Sequence, residues 1–179
     1  MTVGAEESIG TGENGMSLEK AKAYLEQYGL GERIREFAVS SATVELAAQA
    51  LCCEPKRIAK TLSFMVEQKA VLIVAAGDAK VDNAAYKAFF HTKAKMLTPD
   101  EVTALVGHAV GGVCPFGVKA GVSVYLDESL RRFETVFPAC GSSNSAIELT
   151  IAELERYSGY REWIDVCKGW REDPVPPQE

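Results

Sequence analysis

Apolar positions along the chain recur with two periods, and each change of period marks an element. After Ser17, the residues Leu18, Ala21, Leu25 and Tyr28 recur at helical spacing until Gly29 and Gly31, which predicts a helix capped by Ser17. Residues 33–39 alternate loosely and predict a strand. Residues 43–51, rich in alanine and leucine, predict a helix that stops before Pro55. The apolar runs 61–66 and 70–76 flank Glu67-Gln68-Lys69, as in a hairpin. Asp82 is placed to cap a short helix through Phe89. Thr98-Pro99-Asp100-Glu101 combines a capping hydroxyl, proline at the first position and acids in the first turn, so a second short helix begins there and Gly107 ends it. Further strands are expected at 122–126, 135–137 and 146–149, and Thr150 caps a last helix carrying Ile151, Leu154 and Tyr157. Strands and helices are interspersed without a βαβ rhythm. The expected class is α+β: one domain with a mixed, mostly antiparallel sheet or partly closed barrel flanked by helices.

The ends of the chain break this patterning. Residues 1–15 hold four glycines, three glutamates and almost no large apolar groups, and read as a disordered leader; residues 173–179 read as a tail. The domain is therefore expected over 16–172. At 179 residues, 47% of them hydrophobic and 25% charged, the chain can bury a core without a metal or disulfide staple. The five cysteines are odd in number and form no Cys-x-x-Cys pair, and with only two histidines no zinc site is expected. No cofactor is called for.

An apolar run of about 18 residues, long enough to span a bilayer, is missing, and no basic segment followed by an apolar core opens the chain. The expected location is the cytoplasm, with no membrane partner. A net charge of −6 and a pI near 5.1 argue against broad nucleic-acid binding and against DNA as a partner, while leaving room for a local contact to one RNA end. Composition alone points to a small-molecule enzyme.

Three segments carry candidate chemistry. In Ile58-Ala59-Lys60-Thr61-Leu62-Ser63-Phe64, Lys60 sits where an apolar strand begins, which either presents one cation to a cleft or is a solvated edge lysine that discourages aggregation. In Gly111-Gly112-Val113-Cys114-Pro115-Phe116-Gly117, glycines allow a tight turn and close approach of a ligand to backbone N–H groups, and proline stiffens it. Such a loop can aim several donors at one oxygen, or it can be a plain turn. It is no P-loop, since no Gly-Lys-Ser/Thr follows. Gly141-Ser142-Ser143-Asn144-Ser145 is a polar turn that can set hydroxyl and amide groups beside a ligand. Cys114, six residues after His108, also admits a thiol nucleophile if the two meet in space.

These three segments, in this order and spacing, resemble the YbaK/prolyl-tRNA-synthetase-associated editing domain family. Residues 58–64 look like its Lys-Thr/Ser-Leu strand, 98–117 like its helix and Gly-x-x-x-Pro loop, and 141–149 like its late glycine turn and Ile-Glu-Leu strand; the likeness extends over about 17–165. It implies a deacylase that cleaves the ester between a wrong amino acid and tRNA, often tRNA for proline. The amino acid would be small, such as cysteine or alanine. By the same resemblance Lys60 is the essential lysine. Gly111, Gly112, Val113, Cys114 and Pro115 form the loop that holds the aminoacyl carbonyl, His108 stands at its start, and Asn144 lies in the late turn. Cys114 departs from the serine that many relatives carry before the loop proline. The partners implied are the 3′ end of aminoacyl-tRNA and an aminoacyl-tRNA synthetase. Two rival readings stand beside this one: a noncatalytic module that binds an aminoacyl or nucleotide end, and a thiol hydrolase using Cys114.

Overall fold

A computed structural model describes residues 11–38 and 43–171. In chain order these form helix α1 (Thr11–Glu26), strand β1 (Arg35–Glu36), helix α2 (Val44–Leu51), the long strands β2 (Ile58–Val66) and β3 (Lys69–Ala76), and a short β4 (Lys80–Val81). Helix α3 (Asn83–Phe90) and the one-turn α4 (Pro99–Glu101) follow, α4 running on as a π turn over Val102–Val106. The rest is β5 (Ser123–Asp127), β6 (Thr135–Pro138), β7 (Ser145–Ala146), β8 (Leu149–Thr150), helix α5 (Ile151–Tyr157), β9 (Trp163–Ile164) and β10 (Cys167–Lys168).

The β2–β3 hairpin is the axis. Its turn at Glu67 and Gln68 takes left-handed backbone angles, φ 50° and 64°, as a tight two-residue hairpin turn requires. Around it a six-stranded mixed sheet runs β8-β6-β2-β3-β5-β9 and curls into a half-barrel flanked by helices, the expected class. Four of the seven strand pairings among the described residues are antiparallel. β3 is central, and Leu72 through Ala76 are fully buried, which is why this strand reads as a continuous apolar run rather than an alternation. On one face α3 stacks Tyr86 on Phe64 and Phe90, and Phe90 on Tyr125. A small separate cluster of Ala48, Leu51, Ile58, Phe137 and Ala146 seats α2 on the start of β2.

Three expected caps form: Asp82, Thr98 and Thr150 each accept a backbone N–H of the first turn, the last two in reciprocal capping boxes, and Thr43 caps α2 in the same way. Other expectations are corrected. Ser17 lies inside α1, which begins at Thr11 and so takes in residues 11–15 of the expected leader. Only Arg35 and Glu36 of the 33–39 segment are strand, because a 3-10 turn occupies Gly31–Arg33; Val39 lies outside the described residues. The strand expected at 146–149 is two short ones, β7 and β8, that pair with different partners. Residues 1–10 and the tail from 172 also lie outside the description.

The outer edge of β2 is served by two partners that do not meet. β6 pairs in parallel with Ile58 and Ala59. Farther along, the Met65 N–H donates to Lys95 O (2.8 Å) and the Leu97 N–H to Ser63 O (3.1 Å). Between these flanks the edge borders a cleft.

Candidate active site

The cleft has a volume of about 310 Å³, at the small end of roughly 300–1,000 Å³ for ligand pockets. β2 from Ile58 to Ser63 forms one wall, α2 with Val44, Ala47 and Leu51 another, and Met96, Leu97, Pro99 and Val102 a third. The glycine loop contributes Val110, Gly111 and Val113, and the late turn contributes Ser142, Ser143 and Ser145. Met96 and Val110 are exposed, so the mouth is apolar. Lys60 is the one ionisable side chain among the described residues that line the cleft.

Lys60 is half-buried, and its Nζ donates to the Gly77 carbonyl at 3.4 Å and to the Ala79 carbonyl. An ammonium has three protons, so one remains for a ligand. Burial pushes the amine below its ordinary lysine value, opposed by the nearby Asp78 carboxylate. The turn that supplies the two carbonyls is held from both sides. A Cβ on Gly77 would lie 2.0 Å from Pro55 O and 2.7 Å from Val44 Cγ1, so the turn is pressed against α2 and the segment before β2. Asp78 makes a bidentate pair with Arg132 at 2.6 and 2.9 Å, and Arg132 stacks on Phe133 and Trp170 and donates to Trp170 O.

The glycine loop divides into residues that face the cleft and residues that hold the loop. Gly111 and Val113 line the cleft, and their N–H groups have no backbone partner among the described residues. Gly112 does not line it: its N–H donates to Ala109 O at 3.1 Å, and a Cβ there would lie 2.4 Å from the Gly141 carbonyl carbon. Cys114 is fully buried away from the cleft, and burial pushes its thiol up to about 12. Its Sγ is 3.5 Å from His108 Nε2 and 3.6 Å from Phe116 O. Pro115 does not line the cleft either.

His108 and Asn144 take structural places. His108 is 1% exposed; its Nε2 contacts Phe116 O at 2.7 Å, its Nδ1 meets Ser17 Oγ at 2.8 Å, and the same Ser17 hydroxyl accepts the Ala109 N–H. Burial holds His108 below its ordinary pKa. Asn144 ties the late turn to the first strand region: its amide donates to Phe37 O and accepts from Ser142 Oγ, and its own carbonyl accepts the Phe37 N–H. Neither lines the cleft. The expected set thus separates into Lys60, Gly111 and Val113 at the cleft, and Gly112, Cys114, Pro115, His108 and Asn144 behind it. Sequence reasoning missed Thr61, Pro99 and the Gly77–Ala79 turn, whereas Ser142 lies in the polar turn expected to set hydroxyls beside a ligand. Thr61 and Pro99 stood inside quoted motifs, as a strand residue and a helix start.

Comparison with known proteins identifies the family. The aminoacyl-tRNA editing domain family matches residues 39–157, and the chain belongs to that family. Among relatives, the uncharacterized protein YwhH of Bacillus subtilis (strain 168) is 53% identical over 156 residues, 87% of this chain and 99% of that one. A proline–tRNA ligase of Geobacillus sp. (strain WCH70) is 26% identical over 135 residues, 75% of this chain but 24% of the ligase. A solved structure described as a candidate trans-editing enzyme for prolyl tRNA synthetase superposes with a TM-score of 0.77 at 31% identity, covering 86% of this chain and 98% of that one. Among the described residues no helix is long and apolar enough to cross a membrane.

Proposed function

We propose that the chain hydrolyses the ester of mischarged aminoacyl-tRNA, with a small amino acid such as cysteine or alanine on tRNA for proline, as a cytoplasmic step of translation quality control. The observation that carries this reading is a small apolar cleft with one cation, Lys60, and, among the residues of its walls, Gly111 and Val113, whose N–H groups have no backbone partner among the described residues. Lys60 orients the substrate by a charge-assisted hydrogen bond to an oxygen of the RNA end. The two N–H groups stabilise the negative oxygen of the tetrahedral intermediate as the ester is attacked.

No carboxylate, histidine or cysteine is among the described residues that line the cleft, so the general base comes from elsewhere. A water held by the substrate, or a hydroxyl of the substrate itself, is the attacking group in this reading. An ester to tRNA is already activated, so positioning and electrostatics can suffice. The thiol alternative loses its support: a buried, neutral Cys114 outside the cleft cannot attack a bound ester.

The test is a panel of tRNAs carrying cysteine, alanine and other small residues, incubated with the purified chain while ester loss is followed. Turnover of at least one small mischarged species above its uncatalysed rate is expected. Tight binding without turnover would favour the noncatalytic module. Cys114→Ser should keep most of the activity, and complete loss in a folded variant would restore the thiol enzyme.

A further inference from the structure

The open stretch of the β2 edge leaves one residue whose polar groups can be identified. The Met65 N–H and the Ser63 C=O both engage the 95–97 segment. Backbone groups alternate sides along a strand, so Thr61, two residues before Ser63, turns its N–H and C=O to that same side. Phe64 stands opposite Met96 in an antiparallel bridge, and carrying that register back to Thr61 reaches Pro99. Pro99 has no N–H to give and begins α4, so the pairing stops short of Thr61. From the other flank β6 reaches only as far as Ala59, and the next residue, Ala139, turns away to bridge Ala146.

The side chain tells the same story. Thr61 Oγ1 is buried and has no hydrogen-bond partner among the described residues. Thr61, Pro99 and Ala139 all line the cleft. A buried polar group left unpaired costs about 1–3 kcal/mol. One such hydroxyl, on a residue whose N–H and C=O face the open stretch of the strand edge at the wall of a ligand-sized cleft, therefore marks a place where a ligand completes the pairing.

We propose that Thr61 receives the aminoacyl group as a strand of one residue: its C=O accepts from the α-ammonium, and its N–H donates to the ester carbonyl. The chemistry matches because an aminoacyl ester is a single residue, with its amine and carbonyl on either side of one α-carbon. In a hydrogen-bonded antiparallel pair, two residues exchange both N–H···O contacts in this way. It is strand addition reduced to its shortest form. Thr61 Oγ1 supplies a further acceptor for the ammonium. The carbonyl oxygen has a second lone pair, which remains for the donors of Gly111 and Val113.

This inference rests on the deacylase reading for the identity of the ligand and adds what is recognised. The backbone of the amino acid is read at Thr61, while its side chain meets only apolar walls. A free α-amine is then required, whereas several small side chains are tolerated. An N-acylated or peptidyl end, which lacks the charge, is rejected.

Two stable mimics test it on the full chain: 3′-alanylamino-3′-deoxyadenosine, and its lactyl counterpart with a hydroxyl in place of the ammonium. The alanyl compound should bind about ten- to hundredfold more tightly, as loss of a charge-assisted hydrogen bond implies, and should move the Thr61 amide signal in a nitrogen–proton correlation spectrum. Thr61→Val should bind the alanyl compound more weakly while its melting temperature stays level or rises, because the hydroxyl it removes has no protein partner. Equal affinity for the two mimics, an unmoved Thr61 signal, or no binding of either overturns the inference. Hydrolysis of alanyl-tRNA, followed in parallel, separates the two readings. Turnover with an unmoved Thr61 signal leaves the deacylase standing and removes this site; binding at Thr61 without turnover does the reverse.

Discussion

The glycine loop and the lysine turn border one cleft, yet different forces hold them. The loop from Gly107 to Gly117 is fixed by buried, neutral contacts: His108 between Ser17 and Phe116, Cys114 behind it, and backbone packed on backbone where Gly112 meets Gly141. The Gly77–Ala79 turn is fixed largely by partly exposed charge, through the Asp78–Arg132 pair and the rings that sandwich Arg132. Close packing has little tolerance for added volume. An ion pair with 25% and 33% of its side chains exposed is screened by water and salt. The loop should therefore fail abruptly when mutated, and the lysine turn should weaken by degrees.

The largest effect is expected at the loop. Gly112→Ala places a Cβ 2.4–2.5 Å from Gly141 and Ser142 backbone atoms, so one of the two loops must move. A stability loss of about 3 kcal/mol or more, read from urea unfolding, is expected together with loss of activity. Gly111→Ala is the contrasting variant. Its Cβ would meet only Ser143 Cβ at 3.4 Å, but its φ of +90° strains any L side chain. It should cost roughly 1–3 kcal/mol and lose activity out of proportion. Similar behaviour of both variants would remove the distinction between a loop residue at the cleft and one behind it.

Lys60 comes next. Lys60→Met keeps most of the apolar stem and removes the cation. A tenfold to roughly hundredfold fall in single-turnover deacylation is expected if about 1.5–3 kcal/mol of charged hydrogen bonding acts in the transition state. The melting temperature should hold or rise, since a half-buried charge is removed. A folded variant with the parent rate would end the assignment. Arg132→Ala should be milder: about 1 kcal/mol of stability for a partly exposed pair, and a several-fold drop in kcat that raising salt in the parent protein partly reproduces. No salt effect in the parent would mean that the pair does not hold the turn.

The smallest effect is a pH dependence of the loop anchor. Burial lowers the folded-state pKa of His108, so the unfolded chain binds that proton first as pH falls. The stability this neutral ring supports is fully present above its ordinary value of about 6.5 and is lost as pH drops from there toward the lower folded value. At most about 1.4 kcal/mol per pH unit is at stake for one proton. Melting temperatures measured from pH 7.5 downward should fall in the parent and fall less in His108→Gln. Equal slopes would place the proton uptake elsewhere.

What could be read from the sequence was local. Thr98 and Thr150 announce their helices because a cap and its partner lie three residues apart, and the β2–β3 hairpin shows because both strands are long and apolar. Lys60 was found through its place at a strand mouth and its family likeness. For His108 and Asn144 the sequence suggests ligand contact, because polar residues beside glycines look alike whether they face a substrate or another segment. Their partners, Ser17 and Phe37, are 91 and 107 residues away. Ser17 looks like a cap for the same reason, its partner being that distant ring. Thr61 was hidden more deeply: an unpaired edge is set by where two neighbouring segments turn away, and no periodicity records that.

Helix α1 bears on how the domain can be cut. Its backbone is the bed on which both glycine loops lie: a Cβ on Gly141 would sit 2.2 Å from Ser17 O, and one on Gly117 2.8 Å from Lys20 O. Lys20 reaches Gly107 O, Tyr24 stacks on Phe116, and the Tyr24 hydroxyl donates to Tyr157 O. Yet α1 ends before the family match begins at residue 39. The span that the family match covers is thus shorter than the packed structure. A fragment trimmed to residues 39–157 would retain Lys60, Thr61 and both loops, and would lack the surface against which those loops acquire their shape.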